Sequence, residues 1–143
     1  MKTKLILLLA TGVLFAACKT YTIDPESLKS QFLATGSAQK NVEINNPLRY
    51  GNIRYKANSI TDLNVRDKKG NHLSIPNSPA LEMRVTHKNG KRQIFYFDTT
   101  ILENDSLKGS KSRFIPGLTN SIPFDSIAKI EVQDGGKDFK YKE

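Results

Sequence analysis

Few side chains in this sequence have the types and spacing that metal chemistry requires. The chain contains two His and one Cys: His72, His87 and Cys18. Structural zinc sites take four Cys or His ligands, and the two histidines do not form a ligand motif such as His at i and i+4 of a helix. Both flank predicted turns, where histidines at strand ends are ordinary. We therefore predict no metal and no cofactor.

The sequence also gives little indication of covalent catalysis. A hydrolase needs a nucleophile, a base and an orienting acid, and the sequence has no Gly-x-Ser-x-Gly elbow. Glu103 and Asp105 lie close together, but in a predicted turn, whereas the paired carboxylates of glycosidases work in a cleft. The Asn89-Gly90 and Gly135-Gly136 turns do not open helices, so they offer no aligned N–H groups to a phosphate. We predict that the protein is not an enzyme.

The single Cys stands at the end of an N-terminal leader. Lys2 and Lys4 precede an apolar run over residues 5–15, and small residues follow it. This is the three-part pattern of a secretory signal. The run is shorter than the roughly 20 apolar residues that a transmembrane helix needs. The leader therefore predicts export from the cytoplasm.

The leader ends in Phe15-Ala16-Ala17-Cys18, which resembles the lipobox of bacterial lipoproteins, in the loosened form familiar from Bacteroidota. The resemblance implies cleavage before Cys18 and lipidation of its thiol and its new amino group, with palmitate among the acyl chains. Because Lys19 follows the Cys where an inner-membrane lipoprotein would have Asp, it implies the outer membrane. Surface-exported Bacteroidota lipoproteins tend to carry acidic residues just after the Cys, whereas the first acidic residue here is Asp24. The resemblance therefore favours the periplasmic face over the cell surface. An ordinary cleaved signal with a chance Cys is the alternative.

Basic residues are the one surface feature above background. The chain has 22 Lys and Arg against 14 Asp and Glu, a formal charge of +8, and only two of the basic residues lie in the leader. An anchored protein of this charge is attracted to anionic head groups or anionic polymers. Arg84, Lys88, Lys91 and Arg92 are expected to gather around one hairpin as such a surface. A solvated basic face is the alternative, and no nucleic-acid partner is expected for an exported protein.

One helix is readable, at residues 25–35. Asp24 suits the N-cap, Pro25 the first helical position and Gly36 the stop. Leu28 and Phe32, four residues apart, share the face that would be buried. The segment 36–48 is rich in Gly, Ser, Asn and Pro, which predicts a loop with at most a short strand at 42–44.

From residue 48 onward the sequence is typical of short β-strands separated by turns. Apolar residues alternate with polar ones on both sides of the Asn89-Gly90 pair, the strongest short hairpin signal. A single helical turn is expected at 122–127, before a final strand at 129–133. The predicted core comprises Met83, Val85, Phe95, Phe97, Ile130 and Val132.

Residues 81–133, with their "KNGK" hairpin turn, "DSLKG" and "IPFDSI" segments and closing "AKIEV" strand, resemble small envelope lipoproteins of unknown function with an SH3-like barrel. The resemblance implies a fold and no activity. We predict a mainly β fold: a small antiparallel barrel or roll with one N-terminal helix. The expected organisation is a signal peptide at 1–17, a lipidated Cys and tether at 18–24, a helix and loop at 25–47, a barrel at 48–136 and a charged, frayed tail at 137–143.

These expectations define a function class and leave the partner open. The chain is interpreted as a non-enzymatic, membrane-anchored envelope lipoprotein that binds or scaffolds an envelope protein or an anionic polymer. An immunity or inhibitor lipoprotein directed against a toxin or hydrolase is the first alternative. A small envelope enzyme is the second.

Overall fold

The structure is a computed structural model that describes residues 19–115 and 117–143. The predicted signal peptide, the lipobox residues Phe15, Ala16 and Ala17, and the lipidation site Cys18 lie outside the described residues. The elements are β1 (Thr20–Ile23), α1 (Pro25–Ala34), β2 (Gln39–Asn45), β3 (Asn52–Asn58), β4 (Asp62–Arg66), β5 (His72–Pro76), β6 (Leu81–His87), β7 (Arg92–Tyr96), β8 (Ile101–Glu103), β9 (Ser106–Ser110), β10 (Thr119–Pro123) and β11 (Ile127–Asp134), with 3-10 helices at Phe97–Thr99 and Phe124–Ser126.

Helix α1 forms as its sequence predicts. The Asp24 carboxylate accepts hydrogen bonds from the backbone N–H groups of Glu26 at 3.0 Å and Ser27 at 3.3 Å, which satisfies two of the free donors at the helix start. Leu28 and Phe32 are fully buried on one face. The helix thereby covers one side of the core.

The largest sheet has six strands in the order β5-β4-β1-β11-β6-β7, all antiparallel. Strand β1 lies inside this sheet, with Ile23 opposite Ile130 of β11. The expected tether at 18–24 is thus wrong from Thr20 to Ile23. The reason is that Tyr21 and Ile23 alternate with threonines, so that Ile23 is buried and Tyr21 half-buried.

The β6–β7 hairpin confirms the Asn89-Gly90 turn. Gly90 has a φ of +86°, in the left-handed region that glycine adopts without strain. All six predicted core residues are buried in one cluster beneath this sheet. Phe97 reaches that cluster from a 3-10 helix, because β7 ends at Tyr96.

The fold is mainly antiparallel β with one N-terminal helix, as predicted, and the expected helical turn precedes the last strand. The described residues do not form a closed barrel, however. A three-stranded sheet (β10-β9-β8) and the β2–β3 hairpin are separate from the six-stranded sheet. The 3-10 helix after β7 turns the chain away from that sheet, so β8 starts a new one. Strand β2 also places regular structure within the expected loop at 36–48.

The C-terminal segment was expected to be a frayed tail, and this prediction is wrong. Phe139 is buried, and Tyr141 bridges Ile44 of β2. The Asn45 N–H donates to the Lys140 carbonyl at 3.1 Å, and the Lys142 N–H donates to the Glu43 carbonyl at 2.8 Å. The segment therefore runs along β2. Burial of Phe139 and partial burial of Tyr141 outweigh the five charged residues of the segment.

Candidate binding site

The most unusual side chain in the described structure is Arg113, a buried arginine in the loop between β9 and β10. Its guanidinium Nη2 lies 2.6 Å from Asp98 Oδ1, and both side chains are at most 1% exposed. The same nitrogen donates to the Pro79 carbonyl at 2.5 Å. A buried ion pair is stable only when the remaining polar atoms of both partners are also satisfied.

Two tyrosines complete the coordination of Asp98. Its Oδ2 accepts hydrogen bonds from the hydroxyls of Tyr55, on β3, and Tyr141, in the C-terminal segment, the latter at 2.8 Å. Burial, and then the negative charge of Asp98, raise the pKa of both tyrosines well above its usual value. Both hydroxyls therefore keep their protons and act as donors at neutral pH.

Aromatic rings surround the guanidinium of Arg113. Its Cζ lies 4.2 Å from the ring centroid of Tyr96, 4.6 Å from that of Tyr55 and 5.7 Å from that of Phe139. Desolvated contacts of this kind contribute about 2 kcal/mol. We call this cluster, formed by Tyr55, Tyr96, Asp98, Arg113, Phe139 and Tyr141, the Arg113 site.

The 3-10 helix Phe97–Thr99 gives Asp98 its position. It points Phe97 into the main core and leaves Asp98 among the tyrosines. Asn58 fixes this turn from β3, since its side-chain amide donates to the Phe97 carbonyl at 2.9 Å and to the Thr100 carbonyl at 3.1 Å. Buried, fully bonded contacts of this kind hold the carboxylate rigidly.

Two N–H groups of Arg113 are left over. Nε and Nη1 are buried and have no hydrogen-bond partner among the described residues. An unsatisfied buried donor costs about 1–3 kcal/mol. The aromatic rings that surround the guanidinium offset part of this cost by cation–π attraction.

A cleft of about 500 Å³ lies beside Arg113, between β3 and the three-stranded sheet. Its charged lining residues are Arg54, Lys56, Lys108, Arg113 and Glu103. Arg54 pairs with Glu43 at 2.7 Å and Lys108 with Glu103 at 3.0 Å. Lys56 is exposed and forms no ion pair with any described residue. Basic groups thus outnumber acidic ones at the lining, which favours an anionic occupant.

The hairpin residues predicted to form an anionic-binding surface are only partly grouped. Lys88, Lys91 and Arg92 are exposed at the β6–β7 turn. Arg84 lies further along β6, on the outward face of the sheet, with its guanidinium 4.0 Å from the Glu131 carboxylate. Three of the four residues are therefore free to meet an anion, and Arg84 lies beside an acidic residue.

The two histidines lie in different parts of the six-stranded sheet. His72 is on β5 and His87 on β6, with β4, β1 and β11 between them. The His87 ring Nε2 is 2.9 Å from the Gln93 side-chain amide. Among residues 19–115 and 117–143, no three His, Cys, Asp or Glu side chains come together as a set that could hold a metal ion.

Sequence reasoning missed the Arg113 site. Its residues come from β3, the end of β7, the following 3-10 helix, the β9–β10 loop and the C-terminal segment. The one available signal was the i, i+2 spacing of Phe139 and Tyr141, which is typical of a strand with one buried face.

Comparisons of the chain with protein-family models, with curated proteins and with solved structures gave no match. No helix in the described part of the chain has the length and apolar character needed to cross a membrane. The site is therefore interpreted from its own geometry.

Proposed function

We propose that the protein is a lipid-anchored, non-enzymatic binding module of the bacterial cell envelope, held on the periplasmic face of the outer membrane through Cys18. The leader and its Phe15-Ala16-Ala17-Cys18 ending support the anchor. In this proposal the cleft beside Arg113 binds an anionic group of an envelope polymer.

The observation that carries the binding role is the exposed Lys56, which forms no ion pair with any described residue, at a cleft where basic lining residues outnumber acidic ones. Arg113 is held rigidly behind the cleft wall by Asp98 and by aromatic rings, at a position that is at most 1% exposed. Lys56 adds a mobile charge at the rim, which attracts the anion.

The hydroxyl groups of the cleft support binding more than catalysis. Thr99 Oγ1 donates to the Tyr96 carbonyl at 2.7 Å, and Ser110 Oγ donates to the Ser112 carbonyl at 2.7 Å. A nucleophilic hydroxyl would instead donate to a general base. The protons of both hydroxyls are therefore committed to backbone carbonyls, which is not the arrangement of an activated nucleophile.

Binding of an oligogalacturonate, an anionic carboxylated oligosaccharide, to the membrane-anchored protein tests the proposal, with a neutral malto-oligosaccharide as the reference ligand. Lys56→Glu should weaken oligogalacturonate binding at least about tenfold, since reversing this one charge changes the net charge at the cleft by two units. Lys91→Glu is the matched control: it makes the same charge change at an exposed lysine of the hairpin. A loss with Lys91→Glu and none with Lys56→Glu would instead assign binding to the hairpin.

The anchor is tested separately. Cys18→Ser should abolish palmitate labelling and move the protein out of the membrane fraction, because the thiol carries the diacylglycerol in lipoproteins of this kind. Labelling that survives the substitution would contradict the anchor without bearing on the cleft.

A further inference from the structure

Two loop tips carry exposed apolar residues. Leu48 and Tyr50 lie in the turn between β2 and β3, with side chains 74% and 108% exposed. Phe114, Ile115 and Leu118 lie in the loop between β9 and β10 and are about half exposed. Clusters of exposed apolar residues are typical of interaction sites.

The two tips lie at the same end of the molecule. Asn45, at the base of the first tip, donates to the Asp138 carbonyl at 2.6 Å and accepts from the Lys140 N–H at 2.6 Å. Phe139, between these two contacts, packs on Phe114 of the second tip with 6.2 Å between ring centroids. The C-terminal segment therefore joins the tips into one surface, which we call the apolar end.

The chain enters the domain at the matching end of the six-stranded sheet. Thr20 of β1 lies opposite Gln133 of β11. Gln133 in turn lies opposite Glu82 of β6, and Glu82 lies opposite Tyr96 of β7. These pairs form one row about 14 Å long, at roughly 4.8 Å per strand. Tyr96 contacts Phe139 edge-to-face at 6.0 Å, so this row leads directly to the apolar end.

The charges on the two loop tips have one sign, and Asp138, the acidic residue next to Phe139 in the segment that joins them, pairs with Lys140 at 2.9 Å. The tip segments 46–51 and 111–118 contain Arg49, Lys111 and Arg113 and no acidic residue. Arg49 and Lys111 are exposed beside the apolar side chains. Aromatic and aliphatic side chains with basic neighbours are typical of protein surfaces that lie in an anionic membrane interface.

We propose that the apolar end docks on the anionic phospholipid bilayer and inserts the two loop tips among the head groups. This inference rests on the proposed lipid anchor, since Cys18 stands two residues before Thr20, the first residue of the strand whose row leads to the apolar end. Docking supplies a second membrane contact and fixes the orientation of the domain. The β6–β7 turn is then remote from the lipid, because His87 pairs with Ile127, six residues along β11 from Gln133, or about 20 Å.

Single-tryptophan probes test the docking, because the chain has no Trp. The processed full chain, extracted from bacterial membranes, is reconstituted into vesicles of phosphatidylglycerol and phosphatidylcholine with brominated acyl chains. Phe114→Trp should lose about half of its fluorescence relative to non-brominated vesicles and shift its emission to the blue, as expected for insertion at the acyl boundary. Tyr50→Trp, at a fully exposed position, tests the other tip and serves if Phe114→Trp misfolds.

Ile94→Trp is the matched control, since Ile94 is also exposed and apolar but lies on the outward face of β7. Its fluorescence should be the same in both kinds of vesicle. If the protein sediments with vesicles and neither tip probe is quenched, docking is refuted while the lipid anchor stands. Equal quenching of all three probes also refutes an oriented domain. A protein that does not sediment with vesicles at all refutes the anchor together with the docking.

Discussion

Replacing Asp98 with Asn should be among the most destabilising single changes in this protein. The substitution keeps the shape of the side chain and removes its charge, so the buried guanidinium of Arg113 loses its counter-ion. Breaking a buried ion pair from one side costs about 3–5 kcal/mol of unfolding free energy. The amide also cannot reproduce the acceptor set of the carboxylate, which takes Arg113 on one oxygen and two tyrosine hydroxyls on the other.

Urea unfolding, followed by far-UV circular dichroism, measures this loss on the chain from Lys19 onward. The sequence provides a matched control in the second 3-10 helix. Asp125 occupies the middle of Phe124-Asp125-Ser126, as Asp98 does in Phe97-Asp98-Thr99, but Asp125 is exposed. Asp125→Asn should therefore change the unfolding free energy by less than about 0.5 kcal/mol.

A double variant separates the ion pair from general disruption. Replacing a buried pair with apolar residues of similar size is often close to neutral. Asp98→Leu with Arg113→Met should therefore be more stable than Asp98→Leu alone, with a coupling energy of about 1–3 kcal/mol. A loss below about 1 kcal/mol for Asp98→Asn, or strictly additive effects in the double variant, would show that the charges are not buried against each other as described.

Two further outcomes follow from the core and from the tyrosines. Phe97→Ala should lower the unfolding free energy by about 3–5 kcal/mol because Phe97 is fully buried. In the same urea assay, Phe114→Ala should lower it by less than about 1 kcal/mol because Phe114 is half exposed. The pKa values of Tyr55 and Tyr141 are raised in the folded state. At pH values above the ordinary tyrosine pKa of about 10, unfolding therefore releases protons. The unfolding free energy should then fall by up to about 1.4 kcal/mol per pH unit for each tyrosine. Tyr141→Phe should make the pH dependence of urea unfolding shallower, and an unchanged slope would contradict the buried position of its hydroxyl.

Sequence patterns predicted the local elements well. The Asn89-Gly90 turn is encoded in two adjacent residues whose backbone preferences match the right-handed twist of the flanking strands. The helix has its cap, its first-turn proline and its buried pair within twelve residues. Alternation in β6, β7 and β11 identified the core, because a strand with one covered face must alternate.

The errors concern short segments whose partners are distant in sequence. Strand β1 has only four residues, and it is stabilised by β11, more than 100 residues away. The C-terminal segment is equally short and pairs with β2. Neither segment is long enough for the alternation of apolar and polar residues to stand out from the polar residues around it. Charged residues at 137–143 suggested a frayed tail, whereas burial of Phe139 and Tyr141 decides its conformation.

The two Phe-Asp turns show why the candidate site could not be predicted. Each places a phenylalanine in the core and an aspartate on the opposite side, and nothing within either triplet distinguishes them. Asp98 becomes buried only because β3 and the C-terminal segment each bring a tyrosine to it and the β9–β10 loop brings Arg113.

The same convergence links the proposed cleft to the apolar end. Arg113 lines the cleft, and the next residue, Phe114, belongs to the exposed loop tip. Phe139 contacts both residues, with 5.7 Å to the guanidinium carbon and 6.2 Å between the aromatic rings. A membrane that orders this loop would therefore also hold Arg113 and the adjoining wall of the proposed cleft in place. In the function and docking that we propose, the anchor, the docking surface and the anionic site form one arrangement in which the bilayer positions the cleft.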